Sequence, residues 1–226
     1  DIVIPDTTYL KKNKDKVKAF IITHGHEDHT GALPFVLRDI KVPIYGTALT
    51  LGLIKEKLEE YNLDKETEFI TVKPRGHVSI GPFDIEFIRV SHSIADGVGL
   101  AIKTPAGVVI HTGDFKLDQT PVDGEVLDYA RFSEYGEEGV LLLLSDSTNV
   151  EKEGYTVSER EIGTTFEEIF RKSQGRIIVA AFSSNIHRIQ QVMDVADKFG
   201  RKVVLNGRSM VANVGIAREL GYLKVP

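Results

Sequence analysis

The chain has 226 residues, enough for one or two domains with a substantial core, and 42% of them are hydrophobic, as in an ordinary globular protein. It contains no cysteine, which excludes a disulfide framework and any thiolate metal site. A net charge of −5 excludes a generally basic surface, so any nucleic acid would have to engage a local cationic channel. The longest purely aliphatic run, Val140 to Leu144, is far too short to span a membrane, and no charged-then-apolar leader is visible. This composition predicts a soluble, cytoplasmic protein without a membrane part.

In chain order, the Lys11–Lys18 charge run reads as solvated surface. A strand is expected at 17–23, around the apolar run Ala19-Phe20-Ile21-Ile22. It leads into His24-Gly25-His26-Glu27-Asp28-His29, which holds three of the chain's seven histidines and two carboxylates. Imidazole nitrogen and carboxylate oxygen suit the same divalent ion, zinc above all. Gly25 is expected to let this loop turn tightly. Helices follow at 31–39 and 48–61, the second with Leu51, Ile54, Leu58 and Tyr61 on one apolar face. A strand is expected at 67–73, and His77 reads as surface in a Gly76–Gly81 turn.

Residues 83–90 alternate apolar and polar, as a half-buried strand does, and end in Ser91-His92-Ser93. Strands at 97–103 and 107–111 are joined by short links that favour antiparallel pairing, and the second ends in His111-Thr112-Gly113-Asp114. Alone, His92 is an ordinary surface histidine and Asp114 a turn residue or helix cap. Together with the 24–29 loop, they make three apolar strands that each deliver polar groups at one end, as a site on the rim of a sheet requires. His111 and Thr112 then support ligands rather than act as ligands, and Glu27 is a neighbouring acid.

Beyond these come a helix at 124–135, a strand at 140–145 ending at Asp146, helices at 158–173, 185–199 and 210–220, and strands at 176–181 and 202–205. Strand–helix alternation after residue 140 favours a parallel, doubly covered sheet. The change of style near 146–157 marks a domain junction. Ser183-Ser184-Asn185 sits where a strand passes into a helix, where free N–H groups favour a phosphate, with His187 and Arg188 one turn in.

These residues resemble the metallo-β-lactamase superfamily. His24-x-His26-x-Asp28-His29, His92 and Thr112-Gly113-Asp114 match its dinuclear metal motif. Ser145-Asp146-Ser147-Thr148-Asn149, Phe182-Ser183-Ser184-Asn185-Ile186-His187-Arg188 and Gly207-Arg208-Ser209-Met210 resemble the β-CASP branch, and within it the ribonuclease J family. The resemblance implies an α/β architecture: an αββα metallo-β-lactamase domain over residues 1–150, followed by the start of an α/β β-CASP domain over 151–226. It implies two zinc ions, or manganese in their place. His24, His26 and His92 would hold one, Asp28 and His29 the second, and Asp114 would bridge them. Metal ions about 3.5–4 Å apart clamp a phosphodiester during in-line attack, with Asp28 and Asp114 as catalytic residues.

The substrate would be RNA, cut 5′-to-3′ and internally, in contact with Ser183, Ser184, Asn185, His187, Arg188 and Arg208. Asp146 would support a histidine from later in the chain. The family also has a strand before the first histidine motif, and a last histidine ligand after the β-CASP insertion. Only 23 residues precede His24 and no histidine follows His187, so the chain reads as an internal part of a longer, homo-oligomeric enzyme, a dimer or tetramer, and as inactive alone. A metallo-β-lactamase-fold hydrolase of a small ester, thioester or lactam is opposed by the stretches 145–149 and 182–188. A non-catalytic RNA-binding subunit is opposed by the intact ligand set.

Overall fold

The computed structural model describes residues 3–226. After a short helix α1 (Thr8–Lys12), strands β1 (Phe20–Ile21), β2 (Ile44–Gly46) and β3 (Phe69–Thr71) form a parallel sheet in the order β1-β2-β3. Parallel neighbours need crossovers. Helices α2 (Glu27–Thr30) and α3 (Leu33–Val36) lie between β1 and β2, and α4 (Ala48–Glu59) between β2 and β3. Leu51, Ile54 and Leu58 of α4 pack with Leu33, Leu37 and Ile44, burying three of the four residues of the predicted stripe, while Tyr61 falls past the helix end and packs edge-on against Phe35.

The second sheet has the order β4 (His77–Ile80), β5 (Phe83–Arg89), β6 (Val98–Thr104), β7 (Gly107–His111) and β8 (Leu142–Leu144). Its pairs are antiparallel up to β7, and β7 pairs with β8 in parallel across helix α5 (Tyr129–Glu138). One face carries Ile85, Phe87, Val98 and Leu100, packed with Ile21 and Tyr45 of the first sheet. The other carries Ile88, Ala101 and Ile110 against Tyr135 of α5. Helices outside two facing sheets make the expected αββα sandwich.

Several expectations change. β5 is buried on both faces, because the Arg131 guanidinium forks onto Glu86 at 2.7–3.0 Å and the Tyr135 hydroxyl donates to it at 2.5 Å. Burial pushes the Glu86 carboxyl up, but these donors win and hold it below its usual range. His77 lies in β4, opposite Glu86, and not in a turn. β2 and β4 fall outside the expected strands. The helix expected at 124–135 starts at Tyr129, where the Asp128 carboxylate caps the Arg131 N–H at 3.2 Å.

Helices α6 (Glu159–Lys172), α7 (Ile186–Lys198) and α8 (Arg208–Glu219) fall close to the predicted spans. The strands expected at 176–181 and 202–205 do not form among the described residues, and no doubly covered parallel sheet follows residue 140. An apolar β-branched run favours extended backbone, but a strand also needs a ladder partner. Here both segments line a cleft of about 880 Å³, with Ile178 88% and Val204 86% exposed. The residues after 185 also join the earlier ones in a common core: Leu49, Leu53, Ile94 and Ala95 pack with Ile186, Met193, Val214 and Leu223.

Candidate metal centre

Three loops build the site. One follows β1, one joins β5 to β6, and one follows β7. β5 and β7 both run antiparallel to β6, so their C-terminal ends lie on one edge. The Val98 N–H donates to the Thr23 carbonyl at 3.0 Å and ties the first loop to that edge. Gly113 has a φ of +59°, and a Cβ there would meet the Val98 carbonyl at 2.8 Å, so only glycine lets this loop turn. Gly25 does not take a positive φ as a tight turn would require; a Cβ at Gly25 would meet Leu53 Cδ1 at 2.6 Å, so its role is close packing on α4.

His24, His26, His92 and Asp114 each offer an atom within 4.8 Å of the others, and Asp28, His29 and Asp114 form a second such group. His92 Nε2 lies 3.1 Å from His26 Nδ1. The two Asp114 oxygens face different ways. Oδ1 is 3.4 Å from His29 Nε2, while Oδ2 is 3.8 Å from Nε2 of both His24 and His92. Asp28 Oδ2 lies 3.6 Å from His29, and its side chain is 77% exposed.

Burial, and then the neighbouring imidazoles, pushes His24 down to about 2. Burial and His92 push His26 down to about 4 against the pull of Asp28 and Asp114. Burial also lowers His92, although Asp114 and Asp146 oppose it. The rings are therefore neutral near pH 7, and each keeps one ring nitrogen free of a proton. His24 Nε2 is buried and makes no hydrogen bond, while Thr23 Oγ1 sits 3.1 Å from its Nδ1. A buried, unpartnered nitrogen among neutral imidazoles and carboxylates fits a divalent ion such as zinc, which would provide the missing partner.

The supporting residues are less legible. Thr23, buried beside His24, and Ser93, with Oγ 3.4 Å from His26 Nε2, carry no motif of their own. The only signal for them is adjacency to a ligand at a strand end. Thr112 Oγ1 accepts from the Asp146 N–H at 2.9 Å, and His111 Nδ1 accepts from the Gly113 N–H at 3.0 Å. Burial pushes Asp146 up, but hydrogen bonds from Thr148 hold it below the usual carboxylate range. Glu27 pairs with Lys57 of α4.

The residues singled out for substrate lie at the starts of α7 and α8. Asn185 caps α7, accepting from the Arg188 N–H at 3.0 Å, and Ser183 Oγ accepts from Asn213 at 3.1 Å. Ser184 precedes the cap. Arg188 donates to Glu159 at 2.7 Å, Lys116 lies 3.6 Å from the same carboxylate, and Arg188 Nε is buried without a partner. Arg208 meets Glu60 of α4 at 2.9 Å. His187 Nε2 lies 3.1 Å from Asp123 Oδ2, and His187 and His92 line one cleft of about 630 Å³.

The chain belongs to the beta-lactamase superfamily: the profile of the Beta-lactamase superfamily domain matches residues 4–131, more than half of its length. Within that class it is similar to ribonuclease J from end to end. The profile described as Ribonuclease J, beta-CASP domain matches residues 174–226. Over its whole length the chain is 51% identical to ribonuclease J of Helicobacter pylori (strain J99 / ATCC 700824), and 47% identical to those of Synechocystis sp. and Thermus thermophilus. It spans 33%, 36% and 40% of those relatives' lengths. A crystal structure of a protein of unknown function from Enterococcus faecalis V583 shares the fold, with a TM-score of 0.67 at 17% identity, covering 93% of this chain and 50% of that one. No helix among the described residues is long and apolar enough to cross a membrane.

Proposed function

We propose that this chain supplies most of the metal-holding centre of an RNA phosphodiester hydrolase that cuts 5′-to-3′ and internally. His24, His26 and His92 would hold one ion, Asp28 and His29 a second, with Asp114 between them; zinc is the natural occupant and manganese its substitute. The observation that carries the reading is the split of the Asp114 oxygens between the two ligand groups, in a chain similar to ribonuclease J along its full length. A bound divalent ion supplies Lewis acidity and lowers the pKa of water towards about 7. Asp114 fixes the spacing of the two groups, and Asp28, largely exposed, orients the attacking water.

Ser183, Ser184, Asn185, His187, Arg188 and Arg208 would take up the RNA, and His187 shares its cleft with His92. We place the junction of the two domains near residue 150, between the segments that the two profiles match. The whole protein would be a cytoplasmic homo-oligomer. The test is full-length protein on 5′-monophosphorylated RNA. Cleavage should stop with a chelator and return with zinc or manganese. Chelator-resistant cleavage, or turnover of a lactam or thioester instead of RNA, would overturn the reading.

A further inference from the structure

The loop that carries His92 is anchored from outside the metal centre. The Val90 N–H donates to the Gly97 carbonyl at 3.1 Å and closes residues 90–97 into a loop, with His92 on one limb and Asp96 on the other. Between them, Ile94 and Ala95 are buried in the cluster that holds Ile186, Ile189, Ala217 and Leu223. Asp96 has a φ of +65°, a left-handed conformation that few side-chain-bearing residues adopt, aspartate among them.

The surroundings of Asp96 are specific. The Asp96 carbonyl accepts from Thr47 Oγ1 at 2.8 Å, and its carboxylate accepts from the Leu49 N–H at 3.2 Å, at the start of α4. Tyr222, just past α8, packs against the cluster that holds Ile94 and Ala95, and burial together with the nearby Asp96 carboxylate pushes its hydroxyl pKa up. Asp96 and Tyr222 line the cleft that His92 and His187 share, and neither belongs to the ligand groups.

We propose that Asp96 and Tyr222 are positioning residues for His92, Asp96 fastening the ligand loop to the start of α4 and Tyr222 bracing it from the end of α8. This rests on the reading of His92 as a metal ligand. The loop is held on one side by α4 and on the other by Tyr222 and the packing of Ile94 and Ala95. Without the Tyr222 hydroxyl, the half-buried carboxylate loses its polar neighbour from the α8 side and the left-handed backbone at Asp96 is freer to relax. His92 then spends less time facing His26 and Asp114. Linkage makes the effect mutual: an ion held by His92 steadies the docking of α8.

The test uses the full-length protein with Tyr222→Phe, Asp96→Asn and, as a control, Tyr135→Phe. The control removes a buried hydroxyl from a carboxylate in the same way, but from Glu86 on the far face of the sheet. Zinc affinity is measured by chelator competition, and hydrogen exchange of the α8 amides with and without zinc. Tyr222→Phe and Asp96→Asn should each weaken zinc binding about tenfold, as loss of an outer support does, while Tyr135→Phe leaves it unchanged. Zinc should slow α8 exchange in the wild type and much less in Tyr222→Phe. Wild-type zinc binding matched by both variants would overturn the proposal alone. Wild-type protein that binds no zinc would overturn the metal reading, and this one with it.

Discussion

The ligand loops and the segments 176–181 and 202–205 make opposite use of the same raw material, apolar β-branched runs ending in polar residues. Before each ligand loop, the strand has a ladder partner, and the loops are cross-tied: Thr112 N–H to the Leu144 carbonyl at 3.0 Å, Lys116 N–H to the Ser91 carbonyl at 2.7 Å. At 176–181 and 202–205 the backbone has no ladder partner, and the polar groups near it are engaged by other side chains, Arg188 by Glu159 and Arg208 by Glu60. The metal centre is thus preorganised, with desolvation already imposed on neutral imidazoles. The candidate substrate residues must exchange existing partners for phosphate. Substitutions in the first region should therefore act on turnover or acid stability, and those in the second on RNA affinity and its salt dependence.

The largest effect should come from Asp114→Ala. It removes the one carboxylate that faces both ligand groups, so RNA turnover by the full-length protein should fall by at least about 100-fold, beyond the usual loss from an outer support. Asp114 is partly exposed and outside the core clusters, so the melting temperature should change little. Cleavage and melting are to be read on one preparation. Near-normal cleavage by a folded variant would remove Asp114 from the centre and erase the contrast between the two regions.

What can be read from the residues alone follows the same division. The His24–His29 spacing has few uses other than metal binding. His92 and Asp114 are legible only jointly, through the strands that end just before them. The alternation over 83–90 locates β5, but it cannot show that Glu86 is buried, because Arg131 and Tyr135 come from a helix more than forty residues on. β2, three residues between Pro43 and Thr47, is too short for any period to register. The runs at 176–181 and 202–205 carry the composition of strands, but pairing is a tertiary property that composition does not contain. Thr23, Ser93 and Asp96 leave no trace in the sequence because each acts on a neighbour already chosen.

A smaller effect concerns acid. In metal-free protein, His24 is held at about 2 by burial and by the imidazoles around it, against 6.5 for an ordinary histidine. Below pH 6.5 the unfolded chain takes up a proton at this residue and the folded chain does not. The stability is therefore fully present above 6.5 and is lost as pH falls from there towards the folded value, by up to about 1.4 kcal/mol per pH unit. Urea midpoints at pH 7 and pH 5 should draw apart in the stripped wild type and less so in His24→Asn. Equal separation in both would mean that the ring is not held neutral, and that the centre is no more preorganised than the segments it is compared with.

The smallest effect on stability should come from Arg208→Ala. Arg208 is 82% exposed and its partner Glu60 41%, so their ion pair is well solvated and its loss should cost less than about 1 kcal/mol. Its effect on RNA should be separable from stability. If Arg208 leaves Glu60 for a backbone phosphate, the variant should bind RNA more weakly, and the slope of log affinity against log salt should become shallower by about 0.7, the share of one phosphate contact on a single strand. Ala at this position removes the charge without disturbing the α8 start, because the Gly207 turn before it stays in place. Binding to a non-cleaved RNA across a salt series gives the slope directly. An unchanged slope would leave Arg208 as a surface partner of Glu60 and narrow the RNA-contacting set to the start of α7, where Arg188 already has Glu159 to give up.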